Sequence, residues 1–260
     1  HGDDARERRH HARGRDVLTD ELTYPSYLKL DALLALQQPR SAPEHPDELL
    51  FIIVHQSSEL WFKLIVHELE RLTDAMGRDD AWDSLESVQR VNGLMRIVTA
   101  QLHALDTLSP HHFAQFRMHL GTSSGAQSAQ FRAIELISGL RDAGYLEYLR
   151  AHGPHEPPVE RALARPTLAE LFARMLAHRG LTAREVYASD AARDLRMLAE
   201  ALLSYEQEFG MWRFLHVQLV ERILGPGTPG TGGSLGAQAL RDTLSNRFFP
   251  ELWAVRAEFY

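Results

Sequence analysis

The sequence predicts an all-α fold, a helical bundle, and three observations predict it. From Tyr24 onward apolar side chains recur at three- and four-residue spacing, the pattern of a helix that buries one face. No stretch reads convincingly as a strand, and no internal repeat appears. Proline and glycine cluster where periodic segments start or stop. At 260 residues the chain is long enough for one sizeable helical domain, or at most two small ones, with a core large enough to enclose a ligand.

Each element follows in order. Residues 1–20 mix Arg, His and acidic side chains without apolar periodicity and read as a polar arm; residues 21–260 read as a single all-helical domain. A first helix covers 24–37, opened by Pro25. Asp47 can cap a long helix to about Met76, with Leu50, Ile53, Val54, Leu60, Trp61, Leu64, Leu69 and Leu72 at helical spacing. Phe51, Ile52, Phe62 and Val66 fill its other faces, which places it in the middle of a bundle. A third helix covers about 80–106. Ser109-Pro110 restarts the chain into a short helix over 110–120. Gly121–Gly125 is a loop, and a helix follows to about Leu140. Residues 151–166, with Pro154, Pro157, Pro158 and Pro166, read as an irregular excursion. Helices near 167–178 and 190–224 come next. Residues 225–233 hold five glycines and two prolines and read as a mobile loop; helices near 235–246 and 249–258 close the chain.

Composition excludes several functions. The net charge is -7, from 28 basic and 35 acidic side chains, and no basic block follows the first fifteen residues, so no nucleic-acid partner is expected. The absence of cysteine removes disulfides, thiolate ligation, thiol catalysis and covalent c-type haem attachment. The longest unbroken apolar run, Leu49–Val54, is far short of the roughly 20 residues of a membrane span. With no apolar leader at the start, a cytoplasmic protein is expected.

Three familiar motifs fail on context. Gly225–Gly230 matches GxGxxG, but it follows a helix, and two prolines remove amides that a pyrophosphate would need. The Glu-x-x-His spacing of a di-iron bundle occurs only at Glu7–His10, in the polar arm. His67-Glu68 lacks the second histidine of a zinc protease.

Two histidines stand out. His55 has Phe51 and Phe62 on its helical face; His216 has Phe209, Trp212, Leu219 and Val220. Desolvation should keep both neutral. A neutral imidazole in an apolar cleft suits haem iron, and it equally suits a core histidine bonded to a carbonyl. Arg117, after Phe113 and Phe116, can be a carboxylate clamp or a surface arginine. Ser123-Ser124-Gly125 offers ligand donors or an ordinary helix cap.

Four ordered segments carry a resemblance. They are Tyr24-Pro25-Ser26-Tyr27-Leu28-Lys29-Leu30-Asp31; Leu50 through Lys63; Phe116-Arg117 with Ser123-Ser124-Gly125-Ala126-Gln127-Ser128 and Gln130-Phe131-Arg132; and His216-Val217 with Val220-Glu221-Arg222, Gly225 and Gly230-Thr231-Gly232-Gly233-Ser234. From about residue 22 the chain resembles the tryptophan 2,3-dioxygenase family of haem enzymes. The resemblance implies a bundle enclosing a b-type haem, with His216 as the proximal iron ligand. It implies that His55 hydrogen-bonds the indole N–H, Arg117 pairs with the substrate carboxylate, and Thr231 closes over the amino-acid group. Phe51, Ser124 and Gly125 would line the pocket, with Phe113 beside it. It also implies a homotetramer in which Tyr24, Tyr27 and Leu28 reach a neighbouring site. L-Tryptophan and O2 would be the substrates and N-formylkynurenine the product.

The chain departs from that family's pattern at Pro25, Phe113, Ala126, Leu215 and Thr228-Pro229. A small side chain at position 126, where an aromatic is usual, enlarges a pocket edge. Together with Phe113 in place of a tyrosine, it suggests an alternative: insertion of a single oxygen into tryptophan or β-methyltryptophan. A haem sensor without turnover is a further reading, opposed by the joint presence of His55, Arg117 and Thr231. A scaffold without cofactor is the last.

Overall fold

The structure, a computed structural model, describes residues 22–141, 143–152, 155–230 and 236–260. It divides into two units, one ending at Gln38 and one beginning at Pro39.

The first unit contains α1 (Tyr24–Leu28) and α2 (Leu30–Leu34), where periodicity predicts one helix. Thr23 starts α1 by accepting the Ser26 amide, while the Ser26 hydroxyl accepts the Thr23 amide at 2.9 Å. Lys29 then adopts a left-handed conformation (φ 53°), ending α1 and opening α2. Tyr24, Tyr27 and Leu28 are exposed on α1.

The second unit is built on three long helices: α3 (Pro46–Gly77), α4 (Ala81–Gln101) and, later in the chain, α11 (Arg193–Leu224). α4 lies along both α3 and α11. Ile65, Leu69 and Leu72 of α3, Val88, Val91, Met95 and Val98 of α4, and Leu195, Leu198 and Leu202 of α11 are fully buried in one core. Burying each such side chain contributes about 1.5–3 kcal/mol, so this seam is the main source of stability.

The cap of α3 differs from the sequence expectation. Pro46 takes the first helical position, and the His45 ring accepts the Asp47 amide at Nδ1 (3.1 Å). Asp47 is thereby left to pair with His112 at 2.7 Å. The buried Glu48 accepts the Arg40 and Ser41 amides (2.8 and 3.0 Å) and the Ser41 hydroxyl (2.5 Å), fastening the incoming chain to the helix.

The shorter helices are α5 (Pro110–Arg117), α6 (Ala129–Ser138), α7 (Ala143–His152), α8 (Pro157–Ala164), α9 (Leu168–His178), α10 (Ala183–Ala188), α12 (Ala237–Asp242) and α13 (Pro250–Ala254). α5 and α6 pack on α3, and α8 packs on α6. The region expected to be irregular therefore contains α8, whose two prolines sit in its first turn, where no amide is needed. Arg141 anchors it by donating to the Ala162 and Arg165 carbonyls at 2.5 and 2.9 Å. α12 and α13 cover parts of the two C-terminal helices expected from the sequence. No strand occurs among the described residues.

α3 is long and apolar enough, by length and composition, to cross a membrane, with mean hydropathy 1.4 over an 18-residue window. The unbroken-run criterion missed this because His55-Gln56-Ser57-Ser58 interrupts the run without much lowering the average. Its C-terminal half is a core helix, packed on α4 and α9.

Candidate functional site

The N-terminal half of α3 and the C-terminal half of α11 carry the two histidines. The His55 Nδ1 lies 2.7 Å from the Phe51 carbonyl. A carbonyl only accepts, so Nδ1 carries the proton and Nε2 presents a lone pair. Burial lowers the His55 pKa, opposed by the Phe51 carbonyl and by Glu59. The Phe51 ring lies 4.1 Å from the imidazole, and it also meets Phe113 and Phe116 of α5 at 5.6 and 5.8 Å. Phe113 and Phe116 are themselves buried, so these rings form a fixed apolar wall.

Neighbouring helices hold this turn of α3. The Ser57 hydroxyl donates to Gln101 at 3.0 Å, and Gln101 donates to the Ser58 hydroxyl at 2.6 Å. Gln130, near the start of α6, donates to the Glu59 carbonyl at 2.7 Å.

His216 is held differently. Trp212, one turn earlier on α11, stacks on it at 4.9 Å and 29°. Phe62, Phe131 and Phe209 surround that indole. Burial and the nearby His55 push the His216 pKa down to about 4. The His55 side chain is exposed and that of His216 half-buried, yet surrounding protein crowds both rings and lowers both pKa values. Among the described residues nothing hydrogen-bonds either ring nitrogen of His216.

Arg117 is the last residue of α5 and donates from Nη2 to the Pro229 carbonyl at 2.6 Å. It lines a recess of about 430 Å³ with Ala114, Met118 and Gly121. Thr228 anchors the start of the glycine-rich segment by donating to the Leu224 carbonyl at 2.7 Å. Gly236 (φ +63°) closes its far end so near the Thr228 carbonyl that a side chain at 236 would collide with it. Thr231 lies outside the described residues. Ser124 caps the short 3₁₀ turn Gly125–Gln127, the ordinary role open to it. The space beside Gly125 is open, since a Cβ there would meet no atom within 4 Å. Ala126 is exposed on the same turn.

Comparison with known proteins matches the sequence of this chain to a family. A family profile described as Tryptophan 2,3-dioxygenase matches residues 9–166 and 171–259. A tryptophan 2,3-dioxygenase of Kineococcus radiotolerans is 40% identical over 269 residues, covering 93% of this chain and 94% of the relative. Those of Anaeromyxobacter dehalogenans and Saccharopolyspora erythraea are each 40% identical, covering 90% and 94% of this chain and 95% and 96% of the relatives.

The chain belongs to the tryptophan 2,3-dioxygenase family. It is an enzyme of the haem-dependent oxygenase type that the family comprises.

Within this family member the residues present fit a haem. The Trp212 indole N–H is buried with no protein partner, a cost that a bound group or water relieves. The donor set is one neutral imidazole with uncommitted nitrogens, the state that iron ligation requires. No cluster of three or more His, Cys, Asp or Glu able to hold a bare metal ion occurs among the described residues.

The structure brings Phe51, His55, Phe113 and Arg117 onto the packed pair α3 and α5, and α5 also packs on α11, which carries His216. Tyr24, Tyr27 and Leu28 lie in the first unit. Sequence reasoning missed Gln101, Gln130 and the Pro229 carbonyl. Gln130 falls in a quoted motif, whereas a backbone acceptor leaves no side-chain signal.

Proposed function

We propose that this chain binds a b-type haem through His216 and uses it to insert both atoms of O2 across indole C2–C3 of L-tryptophan, giving N-formylkynurenine. The observation that carries the reading is the pair of neutral imidazoles on α3 and α11, one an acceptor at Nε2 and one uncommitted. Bound haem supplies the oxygen binding and activation.

The chain's own residues do the rest. His55 accepts the indole N–H at Nε2 and so orients the ring. Phe51 and Phe113 exclude water beside it, and Ser124 and Gly125 leave room for the amino-acid end. Arg117 offers its remaining N–H groups to the carboxylate in a charge-assisted fork. Thr231 covers the ammonium and carboxylate as the glycine-rich segment closes. The working assembly is a cytoplasmic homotetramer, in which Tyr24, Tyr27 and Leu28 complete a neighbouring site. The polar arm over 1–20 precedes the catalytic domain over 21–260.

The relatives' names favour two-oxygen insertion over the single-oxygen alternative suggested by Ala126 and Phe113. The test is turnover: anaerobic reduction of the holoenzyme, addition of tryptophan, then oxygen, with product mass recorded. A gain of two oxygen atoms is expected; a gain of one, giving an oxindole-type product, overturns the assignment.

A further inference from the structure

We infer that Glu135 and Arg213 are positioning residues: a buried ion pair that sets the rotation of α11 and thereby aims His216 at the iron. This rests on the haem reading above. Arg213 lies one helical turn before His216. It is 6% exposed, and its Nη2 donates to Oε1 of Glu135, itself 2% exposed, at 2.8 Å. The other carboxylate oxygen accepts Arg132 at 2.6 Å and the Tyr145 hydroxyl at 2.7 Å. The Arg213 guanidinium lies 4.6 Å over the Phe209 ring and 5.5 Å from Phe248, and Nη1 reaches the Thr243 carbonyl at 3.4 Å. Both carboxylate oxygens of Glu135 are therefore committed, one to Arg213 and the other to Arg132 and Tyr145.

Apolar packing cannot set this rotation alone. Near its site end α11 buries Phe209, Trp212, Val217 and Leu219, which point over a broad arc, and rings on such an arc tolerate a small roll. A charged pair of fixed geometry does not. One turn further along α6, the Ser138 hydroxyl meets the Tyr205 hydroxyl at 2.7 Å, giving the two helices a second polar attachment. A roll of α11 would carry Trp212 and His216 together, because the indole is stacked on the imidazole. Buried pairs of this kind contribute little net stability relative to apolar replacements, and fixing one register is the role they can fill here.

The test is hemin titration of the haem-free chain, with resonance Raman of the reduced complex. The variants are Glu135→Gln and the paired replacement Glu135→Gln/Arg213→Met. Asn92→Ala serves as the control: it removes another buried bond to α11, to the Ala201 carbonyl at 3.2 Å, far along the helix from His216. Hemin affinity should fall at least tenfold in both pair variants, with a shifted or split iron–histidine stretching band, while far-UV circular dichroism stays that of the parent. The control should keep parental affinity and band. Parental affinity and band in the paired replacement overturn the inference. So does an equal loss in the control, or failure of both pair variants to fold, since either makes the pair structural only. A parent chain that binds no hemin overturns the haem reading itself.

Discussion

The site ends of α3 and α11 present the same side chain in opposite ways. On α3 the imidazole of His55 donates its Nδ1 proton to the carbonyl one turn back, so it can only accept at Nε2. On α11 the imidazole of His216 is steered by a stacked indole and keeps its nitrogens for something outside the described chain. Crowding by surrounding protein lowers both pKa values, so charge does not distinguish them. Hydrogen bonding does. A ring with a fixed tautomer is suited to reading the N–H of a substrate; an uncommitted ring held by stacking is suited to a metal. The lesson is that the assignment of the two faces lies in second partners, Phe51 and Trp212, and not in the histidines themselves.

The largest expected effect tests the α11 side of that contrast. His216→Ala should abolish stoichiometric hemin binding, read as loss of the Soret band after gel filtration. An unchanged Soret maximum and intensity would mean that iron is held elsewhere, and the contrast fails.

Acid should act next, and most strongly on the haem-free chain. His216 titrates near 4 in the folded protein against about 6.5 when unfolded. Its stabilisation is thus intact above pH 6.5 and is lost as pH falls from there toward 4, because the unfolded chain takes up the proton first. The loss can reach roughly 3 kcal/mol. Urea unfolding at pH 7 and pH 4.5 measures it, and His216→Ala should shallow the dependence. Equal slopes in both proteins would show that His216 is not the base whose pKa the fold depresses.

The α5 side carries the next effect. Arg117→Ala should weaken tryptophan binding by more than tenfold, since a charge-assisted bond to a carboxylate contributes about 1.5–3 kcal/mol. Calorimetric or spectral titration of the holoenzyme reads it. Affinity equal to the parent would leave Arg117 merely a tether for the Pro229 carbonyl.

What could be read from sequence follows the range of the interaction that decides it. The three long helices are legible because their apolar period repeats over many turns. α9 and α10 are equally open to reading, since Thr167 with Glu170 and Thr182 with Glu185 are reciprocal caps written three residues apart, though the helices expected from the sequence include only the first. The break at Lys29 was not legible, because a left-handed lysine has no compositional mark. Nor was the His45 cap, which depends on a ring reaching around Pro46. At the site the residue types were legible through the motifs. Their partners were not, because Arg213 and Glu135 are 78 positions apart and Arg117 meets a backbone oxygen 112 positions away.

The smallest effect belongs to His55 and sharpens the contrast most. His55→Ala removes one neutral acceptor, a net contribution of about 0.5–1.5 kcal/mol, so tryptophan affinity should fall by no more than about tenfold. The haem should stay, because Trp212 and the α11 ring are untouched by a change on α3. The discriminating readout is a ligand without the N–H. With 1-methyltryptophan the parent should lose the hydrogen bond that the variant already lacks, so the two proteins should bind it with closer affinities than they bind tryptophan. If the preference for tryptophan over its N-methyl analogue is as large in the variant as in the parent, Nε2 does not read the indole, and the fixed tautomer has some other purpose.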